Sequence, residues 1–131
     1  PRIVEIGARN GGYRERMHQL ANDIDITKNA LALALNQSLD ITARKNDCVG
    51  VFELFPKQPG VFSGIDGISE LRRRTSLNYL SIKTKQGHYI GKAGDGYKMA
   101  AVCILHSANP SEFSKDKDFL DNHVHIRTLS N

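Results

Sequence analysis

Residues 13–39 read YRERMHQLANDIDITKNALALALNQSL, and their periodicity decides the fold class. Tyr13, Met17, Leu20, Ala21 and Ile24 recur at the spacing of a helix with one apolar face. Arg14, Glu15, Arg16 and Gln19 fill the other side. Asp25-Ile26-Thr27 interrupts this helix, and the Thr27 hydroxyl is of the type that caps a second one. The Ala/Leu alternation that follows would also suit a strand. Ala and Leu, however, are strong helix formers without β-branching, and Leu31, Leu35 and Leu39 fall at i, i+4 and i+8. The segment is predicted to be a helical hairpin, with Leu31 and Leu35 packed back onto Leu20 and Ile24 and the Ala30–Leu35 stretch in the core.

On the N-terminal side, Arg2 to Gly7 suggests a short strand, and Asn10-Gly11-Gly12 a turn. On the other side, Val49 to Phe55 is an apolar run that Pro56 ends, and it is predicted to be a strand. Pro59 to Gly67 reads as loop, and Ile68 to Arg74 as a brief helical segment. Leu77 to Lys83, a turn at Gln86-Gly87, and His88 to Ala93 read as a hairpin. Lys98 to His106 is a buried strand or helix that periodicity does not separate. Ser114 to Asn122 reads as a solvated, charged loop or short helix, and Val124 to Leu129 as a last strand. The expected fold is therefore α+β: an N-terminal helical hairpin with an antiparallel sheet of about four or five strands. It is expected to be a single domain, 1–131, with a helical third at 13–39 and a β-rich remainder at 46–131.

The whole chain has 131 residues, with 40% hydrophobic and 24% charged side chains. Its mean hydropathy is −0.39. These values fit an ordinary globular domain and exclude a collagen-like or disordered chain. No apolar stretch, the Ala30–Leu35 run included, approaches the roughly twenty residues that span a bilayer. No signal-peptide pattern is visible, and two cysteines, Cys48 and Cys103, make no disulfide framework. A reduced, cytoplasmic setting is the expectation. Lys and Arg total 18 against 14 Asp and Glu, a net charge of +4, which leans toward DNA or another polyanion. No phosphate-loop or dinucleotide-binding fingerprint is present, so no cofactor is expected.

Within residues 17–39, Ala21 is small enough for a second helix to cross closely, Ile26 follows the turn, and Thr27-Lys28-Asn29 opens the second helix. This segment resembles the helix-turn-helix of bacterial and phage repressors, with Asp25 where Gly is usual. The resemblance implies a DNA-preferring regulatory protein whose Thr27, Lys28, Asn29, Ala32 and Asn36 face the major groove, while Leu33 would also point there and read nothing. Arg14, Arg16, Arg44 and Lys45 would contact phosphates, with Arg72, Arg73 and Arg74 adding a basic stripe. Dimerisation through the β-rich part would double such an interface.

Three weaker constellations offer enzymatic alternatives. Asn46-Asp47-Cys48-Val49-Gly50 is similar to the nucleophile segment of the NlpC/P60 cysteine hydrolases, which implies Cys48 as nucleophile and His88 or His106 as base. Tyr89-Ile90-Gly91, with Tyr79 on the expected paired strand, resembles half of the GIY-YIG nuclease signature. That resemblance implies a small metal-dependent nuclease using Tyr79, Tyr89, His106 and Glu112. His123-Val124-His125 would place two imidazoles on one strand face, as in His-hydrophobic-His nucleases, and so offer a metal site. A catalytically inert interaction or inhibitor protein is the remaining class. Whether the chain is an enzyme stays open at the level of sequence.

Overall fold

A computed structural model describes residues 11–130. The fold is α+β, with helices first and antiparallel sheet after them. The chain divides into two compact units, 1–47 and 48–131. The strand expected at Arg2–Gly7 lies outside the described residues.

In the first unit, α1 (Arg14–Asn22) and α2 (Ile26–Ala34) form the expected pair of helices. The turn differs in detail. Asp23, not Asp25, takes the left-handed conformation, at φ 60°. Asp25, not Thr27, is the N-cap of α2, its carboxylate accepting from the Lys28 N–H at 2.7 Å. Thr27 thus sits inside the helix. The chain then returns to the C-terminal end of α1, with the Arg44 N–H donating to the Asn22 carbonyl and the Asp47 N–H to that of Ala21.

The expected leucine core of this unit is not found. Leu31, Leu33 and Leu35 are 60%, 68% and 58% exposed. Leucines two apart on a helix of 3.6 residues per turn project to nearly opposite sides, so one neighbouring helix cannot cover both Leu31 and Leu33.

The second unit contains two three-stranded antiparallel sheets. One has the order β1 (Cys48–Leu54), β5 (Ala101–Ser107), β3 (Leu77–Ile82). The other runs β4 (Tyr89–Ile90), β2 (Gly60–Asp66), β6 (His125–Leu129). A short α3 (Ile68–Leu71) and a 14-residue α4 (Pro110–His123) complete it. β5 is the central strand, and Ala101 to Leu105 are wholly buried. This resolves the ambiguous apolar run as a strand covered on both faces. Around it pack Phe62, Ile65, Leu71, Ile90, Leu120, Val124 and Ile126.

Two expectations fail here and one holds only in its helical alternative, each for a local reason. Pro59–Gly67 is not a loop but carries β2. Its Gly64, at φ 145°, marks a shift in register against β6 rather than the end of a strand. Ser114–Asn122 belongs to a full helix, capped by Asn109 with Pro110 in its first turn. Its inward row includes buried Asp116, which hides the apolar periodicity. Finally, the expected hairpin is not one. A turn does form at 85–88, with the His88 N–H donating to the Lys85 carbonyl, but the chain changes sheets there. β3 pairs with β5, whereas β4 pairs with β2 through Gly60–Ile90 and Val61–Tyr89.

Candidate functional site

The densest polar constellation lies where the α3–β3 connection meets the N-terminal half of α4. Arg74 is at its centre. Its guanidinium donates to Glu70 at 2.8 Å and to Asp116 at 3.3 Å, and it lies 4.0 Å over the Phe119 ring. Asp116, buried, also accepts from the Ser76 hydroxyl at 2.6 Å. One turn earlier, Glu112 accepts from the hydroxyls of Thr75 and, at 2.7 Å, Ser107. These two hydroxyls, Thr75 first, hold its carboxyl below the usual carboxylate range. A cavity of about 450 Å³ opens beside this cluster, with Arg73 and Lys115 at its edge.

The chemistry of the cluster is that of a clamp. The Glu112 and Asp116 carboxylates of α4 both accept from hydroxyl or guanidinium donors. Four segments (α3, the chain leading into β3, the end of β5, and α4) are fastened together by it.

The residues expected to read DNA are placed otherwise. Asn29 does not project a free amide: its Nδ2 donates to the carbonyls of Asp25 and Asp40, and its Oδ1 accepts from the Asp40 N–H at 2.7 Å. Asn36 lies beyond the end of α2, at φ 54°, and so on no groove-facing helix surface. Thr27 and Lys28 are exposed, as are Arg14 and Arg16. Arg44 is paired with Asp40 at 2.5 Å, and this guanidinium holds the Asp40 carboxyl below its ordinary range. Lys45 reaches Asp47 at 3.5 Å. Arg72 and Arg73 are exposed, but Arg74 is consumed by the clamp, so the three arginines form no common stripe.

The enzymatic constellations are not assembled either. Tyr79 and Tyr89 stand on strands of different sheets, and Tyr89 packs against Tyr97, with ring centres 5.9 Å apart. His106 is on β5, and Glu112 is bound in the clamp. Cys48 begins a strand rather than a helix, opposite Ser107, while His88 precedes β4 in the other sheet. His123 ends α4, stacked on Phe119, whereas His125 starts β6 with its ring against the Asn122 carbonyl. They therefore share no strand face. Among the described residues no group of three His, Cys, Asp or Glu side chains is placed to hold a metal ion. No described helix is long and apolar enough to cross a membrane.

Sequence reasoning named Arg74 and Glu112 of the clamp but missed Glu70, Thr75, Ser76, Ser107 and, buried within it, Asp116. The one signal for Asp116 was the Phe113, Asp116, Leu120 spacing, which is helical once a carboxylate is allowed on the inward row.

No protein-family model matches the chain, and no curated protein does. Solved structures do. The chain is similar to an L-amino acid ligase from Bacillus licheniformis, with a TM-score of 0.82 and 20% identity over 99% of this chain and 33% of that one. It is also similar to a phosphoribosylglycinamide synthetase from Anaerococcus prevotii, with a TM-score of 0.59 and 9% identity over 89% of this chain and 30% of that one. The chain spans about a third of the length of each. These likenesses overturn the reading of the chain as a DNA-binding transcription regulator. At such identities what they establish is the fold: this chain is folded like one third of a ligase.

Proposed function

We propose that this chain is a ligase-related module, working as part of an enzyme that joins the carboxylate of one L-amino acid to an amine. The single observation that supports this most is the near-complete overlay of the chain on the L-amino acid ligase. The exposed leucines of α2 support it from a different direction. A helix apolar on opposite sides is built to be covered by more protein than this chain supplies around it. Forming an amide from a free carboxylate and an amine expels water and does not proceed unaided in water. The carboxylate must first be activated, here by a phosphoryl group taken from ATP and released as phosphate when the amine attacks. The satisfied carboxylates of the clamp suit a role in holding shape, with the reacting groups elsewhere in the enzyme. Cys48 and Cys103 are free thiols, which fits work in the cytoplasm.

The test is to purify the protein carrying this sequence as it occurs in its cell and supply ATP, magnesium and the common L-amino acids. ADP formation should depend on an L-amino acid and should equal the amide product found by mass spectrometry. ADP formation indifferent to every amino acid, or none at all, would overturn the reading.

A further inference from the structure

Two Asp-Gly pairs lie among the described residues, Asp66-Gly67 and Asp95-Gly96, and the fold treats them differently. Asp66 ends β2, paired across the ladder with His125, and its carboxylate meets Arg127 at 3.2 Å. Gly67 is hemmed in, because an added Cβ would lie 2.4 Å from the His123 carbonyl oxygen. The second pair stands at the end of a single 3-10 turn, Ala93–Asp95, in the connection between β4 and β5. Gly94, Asp95 and Gly96 are all exposed. Nothing beyond the adjoining residues lies within 4 Å of where a Cβ on Gly94 or Gly96 would stand. The Gly96 nitrogen is restrained by one main-chain hydrogen bond, donated to the Ala93 carbonyl at 3.1 Å. A bond in an exposed turn of this kind opens by local fluctuation, whereas a ladder pair in a packed sheet opens rarely.

We propose that Asp95-Gly96 is a site of self-modification, at which the chain isomerises to isoaspartate. The Gly96 nitrogen attacks Cγ of the Asp95 carboxyl. An N–Cγ bond forms and a Cγ–O bond breaks, and the amide hydrogen leaves with the carboxyl hydroxyl as water. The product is a cyclic imide, which water then opens at either carbonyl. Opening at Cγ restores aspartate. Opening at the main-chain carbonyl leaves Gly96 joined through Cγ, with one more carbon in the main chain and the composition unchanged. Tyr97 lies next along the chain. Its ring is 5.9 Å from that of Tyr89 and rests on Gly91, where a Cβ would come within 2.3 Å of it. Lengthening the main chain just before Tyr97 moves the ring off that seat. Nothing in this chemistry depends on the ligase reading.

The test uses the whole chain, kept folded at neutral pH in water labelled with heavy oxygen. Each imide that opens takes up one labelled oxygen. Electron-transfer fragmentation of the digested chain places that label and tells isoaspartate from aspartate. Label and isoaspartate should gather in the peptide holding Asp95 and stay at background in the one holding Asp66. In urea the two peptides should label comparably, since the restraints on Asp66 and Gly67 are then gone. Asp95→Glu, whose imide would need a larger ring, should lose the signal, and the exposed position keeps the variant folded. The amide signals of Gly91 and Tyr97 should shift as isoaspartate accumulates in the unsubstituted chain. Equal labelling of the two sites in the folded chain would overturn the proposal. So would an Asp95 peptide that stays unlabelled while folded and takes up label in urea.

Discussion

Asp116 is the one charged residue buried among the described residues. It accepts from the Ser76 hydroxyl and main-chain N–H and from Arg74, which in turn is shared with Glu70. Removing one partner of such a set leaves the others desolvated and unpaired. Asp116→Ala should therefore destabilise the chain by about 3 kcal/mol, read as a fall in the urea midpoint at unchanged slope. Glu112 gives the clamp a pH dependence. Its folded pKa is held below the ordinary glutamate value, so its contribution is complete above that ordinary value and is lost as pH falls through the lowered one. Urea midpoints measured from pH 7 down to pH 3 should decline over the acid end of that range, and the decline should be shallower in Glu112→Gln. Cys103, on the central strand, is pushed up to about 12 by burial. It should stay unmodified by a disulfide reagent at pH 8 until urea unfolds the chain, whereas a Cys103 that reacts in the native protein would mean that β5 is not the core strand described here.

At the scale of elements, the outcome of sequence reading depended on whether the deciding interaction was local. β1, α1 and α3 were legible because apolar pattern and flanking Pro or Gly residues mark them directly, and β6 by its apolar residues alone. β2 was not, because its glycines look like punctuation. Gly64 is a register shift within the strand, and Gly67, at φ 69°, ends it beneath the close carbonyl of His123. An added Cβ at Gly67 would come within 2.4 Å of that oxygen. Gly67→Ala should thus cost about 1–3 kcal/mol, from positive φ and collision together, which a thermal melt would register. The apparent hairpin shows the complementary limit. Gln86-Gly87 specifies a turn, but a turn does not choose which strands it joins, and here the partners come from β5 and β2, distant in sequence. The candidate site suffered most. The Asn29 amide looks like a reading head in sequence and is in fact a brace tying α2 to Asp40. A side chain's partners across the fold are not written in its own neighbourhood.

At the scale of the whole molecule, the apolar surface of α2 and the overlay on one third of a ligase lead to the same account. Helix α2 has leucines on opposed sides, an arrangement suited to a helix surrounded by protein. The similar ligases are about three times the length that this fold covers. On the proposed reading, joining an L-amino acid to an amine requires that a carboxylate be activated first. The most direct measurement follows an oxygen atom. The protein carrying this sequence is given ATP and an L-amino acid labelled with heavy oxygen in its carboxylate, and the released phosphate is analysed by mass spectrometry. Activation by phosphoryl transfer predicts one labelled oxygen in each phosphate formed, in step with amide product. Unlabelled phosphate, or label that never leaves the amino acid, would contradict the account.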